Sequence, residues 1–94
     1  MLVTVKFVGA FRNISGKSKL SIQVEDAVSL KKFIRKLVEE QPKLKRVLID
    51  PELEDPRPNT LILVDGKEIS VLNGLDTVLE DGTEIVFVPV VHGG

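Results

Sequence analysis

The sequence predicts an α+β fold in which one main helix packs across a mixed sheet of about five strands. Three observations lead to this prediction. The two segments at the ends of the chain have the most apolar strand patterns, a strongly amphipathic segment lies between them, and Gly-containing turns separate the later segments. Because sheets bury their most apolar strands centrally, we expect the first and last strands to lie side by side.

The first two strands are predicted to form an antiparallel hairpin. Residues 2–8 alternate apolar with more polar side chains, and so do residues 19–24. This alternation is typical of a strand that buries one face. A turn is predicted between the strands at residues 13–17, where Ser15 and Gly16 favour reversal of the chain.

The clearest helix signal follows this hairpin. Apolar side chains recur with the helical period of 3.6 residues and form one stripe, which consists of Leu30, Phe33, Ile34, Leu37 and Val38. Ser29 is the candidate N-cap because it directly precedes the first apolar residue of the stripe. Pro42 disfavours helical geometry at Gln41, so the helix is expected to end there. The charged residues on the opposite face are most simply a solvated surface.

The second half of the chain is predicted to contain three further strands. Residues 43–59 are less regular: Leu44, Val47 and Leu48 suggest one helical turn that covers the core. Residues 50–59 are predicted to be a loop because they contain three prolines and four acids. A strand at residues 60–64 is followed by the tight-turn signal Asp65-Gly66 and by a return strand at residues 68–72. Two more turns lead to the final strand, which ends near Pro89 because proline cannot donate a ladder hydrogen bond.

The predicted order is therefore strand, strand, helix, strand, strand, strand. Placing the first strand beside the last one makes them parallel, with the rest of the chain crossing over between them. This arrangement is the β-grasp architecture. Residues 1–91 are expected to form this domain, and residues 92–94 are expected to be a flexible tail. Ordering each backbone residue costs roughly 1–2 kcal/mol, and the tail has no apolar side chain to offset that cost.

The composition argues against several classes of function. Thirteen basic and fourteen acidic side chains leave a net charge of −1, so the sequence indicates no binding to nucleic acid. One histidine and no cysteine make a zinc site or a nucleophilic triad improbable. We therefore expect no bound metal or cofactor and no catalytic residues within the chain. The sequence has no signal-peptide pattern and no apolar run of about 20 residues, so we expect a cytoplasmic protein without membrane contact.

Several short motifs occur together along the whole chain. They are Val3-Thr-Val-Lys-Phe7 followed by Phe11-Arg12, then Asn73-Gly-Leu-Asp76, Leu79-Glu-Asp-Gly-Thr-Glu-Ile85, Val88-Pro89 and Gly93-Gly94. In this combination the chain resembles the ubiquitin-like sulfur carriers. It is closest to the MoaD family, the small subunit of molybdopterin synthase, and it is also similar to ThiS of thiamin synthesis. MoaD proteins usually carry two consecutive prolines where this chain has Pro89-Val90.

The resemblance implies a function for the C-terminal glycines. Gly94 would be adenylated by an ATP-dependent, ubiquitin-activating-type enzyme such as MoeB and then converted to a thiocarboxylate. Gly93 and His92 would take part in recognition of the tail, although His92 is also interpretable as a bystander. The chain would then be the non-catalytic, sulfur-carrying subunit of a molybdopterin synthase-type complex with a MoaE-like large subunit. ATP would be used by the activating enzyme and not held by this chain.

The resemblance also implies a docking surface. If Ile85 and Phe87 face the helix, Val88 faces the other side of the sheet, and Val8 shares that outer side. Exposed apolar patches often mark partner sites, and the family docks partners through this face. The alternative is that Val8 and Val88 are isolated surface valines. Arg12 lies near the root of the tail in the family, where it either steers partners or is an ordinary surface arginine.

Two other functions remain open from the sequence. The His-Gly-Gly ending also resembles the ubiquitin-related modifiers that sulfurate transfer RNA, and small archaeal modifier proteins share the general pattern. In a protein modifier, Gly94 would be joined to lysines of target proteins by an isopeptide bond. The third possibility is a plain interaction module of the same fold, in which the terminal glycines have no role.

Overall fold

A computed structural model describes residues 1–90 of the chain. The predicted tail residues His92, Gly93 and Gly94 lie outside the described residues, as does Val91. In chain order the elements are β1 (Leu2–Phe7), α1 (Ala10–Ser15), β2 (Lys19–Gln23), β3 (Val28–Ser29), α2 (Leu30–Glu40), α3 (Pro42–Leu48), β4 (Thr60–Val64), β5 (Lys67–Glu68), two 3₁₀ turns (Ile69–Val71 and Gly74–Asp76), β6 (Val78–Leu79) and β7 (Glu84–Pro89).

The main sheet has five strands in the order β2-β1-β7-β4-β5. The first and last strands, β1 and β7, lie side by side and run parallel, with Val5 opposite Ile85 and Phe7 opposite Phe87. The neighbouring pairs β1–β2, β7–β4 and β4–β5 are antiparallel. The predicted mixed sheet and the predicted central position of the two end strands are therefore confirmed, and the fold is a ubiquitin-like β-grasp.

Helix α2 has the predicted bounds and cap. The Ser29 side chain accepts a hydrogen bond of 3.2 Å from the backbone N–H of Lys32, which satisfies one of the free N–H groups at the start of the helix. The whole predicted stripe is buried: Leu30, Phe33, Ile34, Leu37 and Val38. On the buried face of the sheet, the rings of the neighbouring residues Phe7 and Phe87 stack with centroids 6.3 Å apart.

Helix α3 is longer than the single turn that the sequence suggested. Pro42 stands at its first position, where the missing N–H costs no hydrogen bond and the fixed φ angle suits a helix. Its inner side chains Leu44 and Leu48 are fully buried. The hydroxyl of Thr60, itself buried, donates to the carbonyl of Leu48 at 3.1 Å and so links the end of α3 to β4.

The prediction of a turn at residues 13–17 was wrong in its first half. Residues 10–15 form the short helix α1, which buries only Phe11. Gly16 ends this helix with φ +74°, and its N–H donates to the carbonyl of Arg12 at 3.0 Å. A left-handed glycine that closes the last turn in this way is a common helix end.

The return strand predicted at residues 68–72 is also much shorter in the structure. Strand β5 ends at Glu68, whose side chain accepts a hydrogen bond of 2.7 Å from the N–H of Ser70. This bond starts a 3₁₀ turn that buries Ile69. A second, two-stranded sheet consists of β3 and β6, in which Val28 pairs with Leu79, and this sheet was not predicted.

Candidate functional site

One face of the main sheet is covered by the helices and the other is open. Along β7, Ile85 and Phe87 are fully buried, whereas Val86 and Val88 are only half-buried. On β1 the buried residues alternate in the same way with more exposed ones. Because side chains in a strand point to opposite faces in turn, the less buried set defines the open face.

The open face carries an apolar patch, which extends from the C-terminal end of β1 across the neighbouring strands β7 and β4. The N–H of Val8 donates to the carbonyl of Phe87 at 3.3 Å, which puts Val8 beside Val88. Val8 is 44% exposed. The structure therefore brings these two predicted docking residues together on one surface. The strand register adds two leucines, because Leu61 lies opposite Val88 and Leu63 lies opposite Val86.

We call this surface the open-face patch and define it by Val8, Leu61, Leu63, Val86 and Val88. The sequence analysis did not single out the two leucines. Residues 60–64 are apolar at nearly every position, so the sequence could not show which leucines point outward. Toward the other end of β1 and β7 the open face becomes polar, where Lys6 and Glu84 form an ion pair of 3.1 Å with both side chains nearly half exposed.

The backbone at the end of β7 is held by a hydrogen bond to the residue before β4. Val90 follows β7, and its N–H donates to the carbonyl of Asn59 at 2.9 Å. Pro89 lies against the start of α1, because a Cβ atom added to Gly9 would be 3.4 Å from Cγ of Pro89. Gly9 also has φ +60°, a value that favours glycine. The segment that leads toward Gly94 therefore begins at a fixed position between β4 and α1.

A basic residue that was not among the predicted site residues lies at this root. A shallow cleft of about 320 Å³ is lined by Arg46 and Val47 of α3 together with Phe11, Pro89 and Val90, among others. Arg12 is exposed on α1 and does not line this cleft. Arg46 was missed because only a single helical turn was predicted in this region, so nothing in the sequence linked Arg46 to the end of β7.

A separate ion pair orders the loop between α3 and β4. Nε of Arg57 donates to Oδ1 of Asp55 at 2.9 Å, and this bond holds the pKa of Asp55 below its usual value of 3.8. The backbone N–H of Asp50 donates to the carbonyl of Asp55 at 2.9 Å. The predicted loop at residues 50–59 is thus closed by its own hydrogen bonds.

We next consider metal binding and membrane insertion within residues 1–90. Within residues 1–90, no three side chains of His, Cys, Asp or Glu lie together in a way that could hold a metal ion. Within the same residues, none of the helices is both long enough and apolar enough to cross a membrane. The features left for function are the open-face patch, the cleft lined by Arg46 and Pro89, and the segment that starts at Val90.

Comparison with known proteins identifies the class to which these features belong. Residues 5–94 match the model of the ThiS family, and the chain belongs to that family. The family groups ubiquitin-like sulfur carriers with ubiquitin-like protein modifiers.

Individual relatives cover both kinds of protein. The chain is 30% identical to small archaeal modifier protein 3 of Haloferax volcanii, over 100% of each chain. It superimposes on small archaeal modifier protein 1 of Methanosarcina acetivorans with a TM-score of 0.84 and 30% identity, covering 99% of this chain and 96% of that one. It also matches a chain in the complex of subunits 1 and 2 of the molybdopterin-converting factor of Helicobacter pylori, with a TM-score of 0.63, 26% identity and full coverage of both chains.

Proposed function

We propose that the chain is a sulfur carrier that donates sulfur in molybdopterin biosynthesis as a MoaD-like small subunit. In this proposal the carboxyl group of Gly94 is adenylated and then converted to a thiocarboxylate. The observation that carries the proposal is the position of the open-face patch. Its central strand, β7, is the same strand that leads into the C-terminal segment, so a partner held on the patch is close to the point from which that segment starts.

The chemistry needs an activating partner because a carboxylate is a poor electrophile. In the first step, a carboxylate oxygen of Gly94 attacks the α-phosphate of ATP, and pyrophosphate leaves. In the second step, a sulfur nucleophile attacks the acyl carbon, and AMP leaves. If the nucleophile is a persulfide, a thiol must then reduce the acyl disulfide to release the thiocarboxylate. A ubiquitin-activating-type, MoeB-like enzyme would supply the ATP site, and in this proposal both proteins act in the cytoplasm.

The residues of the tail have a physical reason to be small. Gly93 and Gly94 have no Cβ atom, so their backbone is able to pass through a narrow channel and approach the nucleotide closely. His92 is the nearest side chain that an activating enzyme could recognise. We assign recognition of the tail to His92 and Gly93 and the reactive carboxyl group to Gly94.

The partner surface follows from the open face. A MoaE-like large subunit would bury Val8 and Val88 together with the leucines of the open-face patch, which removes apolar area from water. The complex of subunits 1 and 2 named for the Helicobacter pylori relative supports this pairing. Arg46 lines the cleft at the root of the tail, and Arg12 lies on the neighbouring helix α1. In this proposal both would face acidic groups of a partner.

A second function has its own support. The two relatives at 30% identity that span this chain are both named as small archaeal modifier proteins. In that function the activated Gly94 forms an isopeptide bond with a lysine of a target protein, and AMP or the enzyme thiol leaves. A thiocarboxylate at Gly94 would also serve as sulfur source for thiolation of transfer RNA.

Intact-mass spectrometry of the protein from its native cells distinguishes these functions. The carrier function predicts a fraction of the chain whose mass reflects exchange of one oxygen for sulfur at Gly94. The modifier function predicts adducts in which Gly94 is linked to lysines of other proteins, and these would be mapped by tryptic peptides. Finding neither species in cells that make molybdopterin would refute the sulfur-carrier proposal.

A further inference from the structure

The edge strand β2 has backbone groups that no other part of the described chain uses. In the sheet order β2-β1-β7-β4-β5, β2 has a neighbour only on the β1 side. The N–H of Phe7 donates to the carbonyl of Ser18, and the N–H of Val24 donates to the carbonyl of Met1. In an antiparallel pair, successive residues point their backbone N–H and C=O groups alternately toward and away from the partner strand. The backbone groups of the even-numbered residues of β2 therefore point toward β1.

The odd-numbered residues of β2 therefore turn their backbone groups away from the sheet. They are Lys19, Ser21 and Gln23, and all three are exposed. Nζ of Lys36 donates to the carbonyl of Gln23 at 3.0 Å, so a side chain from α2 satisfies one of these outward groups. Within residues 1–90, no group pairs with the outward N–H and C=O of Lys19 and Ser21. Exposed groups of this kind form a template for an added strand.

The charges along this edge select the kind of strand that fits. Lys17 and Lys19 stand at the beginning of β2, and Lys36 reaches its end from α2. The acids nearby are Glu25 and Asp26, which follow the end of β2. Cations therefore outnumber acids along the edge, and the beginning of the strand carries only cations. Two copies of the edge would repel each other, whereas an acidic segment would be attracted.

We propose that the β2 edge accepts an extended acidic segment of a partner protein as an additional antiparallel strand. The segment would hydrogen-bond with the outward N–H and C=O groups of Lys19 and Ser21 and with the N–H of Gln23. Its alternate side chains would pack beside Leu20, which is half-buried, and its carboxylates would lie opposite Lys19. Because the added strand is antiparallel, these carboxylates belong at its C-terminal end. This inference concerns a different surface from the open-face patch and does not depend on the chemistry of Gly94.

The test uses the full chain labelled with ¹⁵N and a short synthetic peptide. The probe is acetyl-Thr-Val-Thr-Val-Glu-Glu-amide, which places valines opposite Leu20 and Ile22 and a glutamate opposite Lys19. The matched control peptide carries lysines in place of both glutamates. We expect the acidic peptide to shift the amide resonances of Lys19, Ser21 and Gln23, leaving those of Val8 and Val88 unchanged. The control peptide is expected to bind about tenfold more weakly, because it places a lysine opposite Lys19 and the two positive charges repel each other.

Three variants make the test specific. Ser21→Pro removes an outward N–H and should abolish the shifts along the edge, while Ser21→Thr keeps that N–H and should bind normally. Lys19→Glu should weaken binding of the acidic peptide about fivefold, and this variant changes the side-chain charge without altering the backbone. Shifts confined to the open-face patch, or equal binding of the two peptides, would overturn the proposal. It would also be overturned if sedimentation showed that the protein alone pairs through β2 and loses that dimer in the Ser21→Pro variant.

Discussion

The carbonyl of Asn59, just before β4, accepts a hydrogen bond of 2.9 Å from the N–H of Val90, just after β7. Pro89 lies opposite Thr60 in the same pair of strands. Hydrogen-bonded pairs alternate in an antiparallel ladder, and Asn59–Val90 is such a pair, so the nitrogen of Pro89 faces away from β4 and its missing N–H leaves the ladder with β4 intact. The C-terminal segment therefore starts from a backbone held by the centre of the sheet, and this fixes its origin relative to the open-face patch.

Deleting Gly93 and Gly94 is expected to abolish adenylation and thiocarboxylate formation with little effect on the fold. All the buried apolar side chains within residues 1–90 lie between Val3 and Phe87, so the deletion removes none of them. We expect the melting temperature to change by less than about 3 °C. Adding one alanine after Gly94 is the matched control, because it keeps both glycines and moves only the carboxyl group, and it should abolish activation as well. A large drop in melting temperature on deletion would contradict this picture of the segment.

Val8→Asp is expected to weaken binding of the proposed partners at least about tenfold, because it puts a charge into an apolar contact. Val8 is 44% exposed, so the free energy of unfolding should change by less than about 0.5 kcal/mol. Val78→Asp is the control, since Val78 is 60% exposed and belongs to the second sheet. Calorimetric titration with the activating enzyme and the large subunit measures both variants. If Val8→Asp and Val78→Asp reduce the affinity for the partners equally, the added negative charge and not the open-face patch governs binding.

Leu44→Ala is expected to lower the free energy of unfolding by about 2–5 kcal/mol, the usual result of emptying a fully packed leucine site. Leu44 is fully buried, so α3 contributes to the core and is not a mobile cover. Lys43→Ala, at the exposed neighbouring position, should change stability by less than about 0.5 kcal/mol. Urea unfolding of both variants provides the comparison, and similar midpoints would mean that α3 does not pack as described.

Arg57→Ala is expected to raise the pKa of Asp55 toward its ordinary value of 3.8, because the hydrogen bond from Arg57 is the main cause of the lowered pKa. A carboxyl group whose pKa is lowered by folding stabilises the fold above its ordinary pKa, and this contribution is lost as the pH falls through the lowered value. The wild-type protein should therefore lose this contribution in acid, whereas the variant should lack it at every pH. An NMR titration of the Asp55 carboxyl group measures the effect, with Arg46→Ala as the control. An unchanged pKa in Arg57→Ala would show that the ion pair is not formed in solution.

Long periodic segments were predictable from the sequence because burial dictates their pattern. The apolar stripe on α2 is the face that packs into the core. In β1 and β7 every second side chain is buried, and this produces the alternating pattern. The short elements were not predictable in the same way. Helix α1 has only Phe11 buried and begins at Gly9 without a side-chain cap, so neither period nor capping marks it. Strands β3 and β6 have two residues each, which is too short for any alternation.

The candidate site was partly predictable for a related reason. Val8 and Val88 follow from parity once the neighbouring strand residues are known to be buried. Leu61 and Leu63 do not, because their strand is apolar on both faces and only its register with β7 shows which side is open. Arg46 was missed because its distance in sequence from Pro89 gives no sign that the two line one cleft.

The parallel contact between β1 and β7 has a consequence for how the protein is made. These two strands occupy the middle of the sheet, yet nearly the whole chain separates them in sequence. A nascent chain emerging from the ribosome cannot complete its core until its last strand has been synthesised, and pairings with such high contact order form slowly. At roughly 5–20 residues per second, the apolar first strand waits on the order of ten seconds for its neighbour. Once β1 has left the exit tunnel, its apolar side chains stay exposed until β7 is available, and we expect chaperones to bind it during that time.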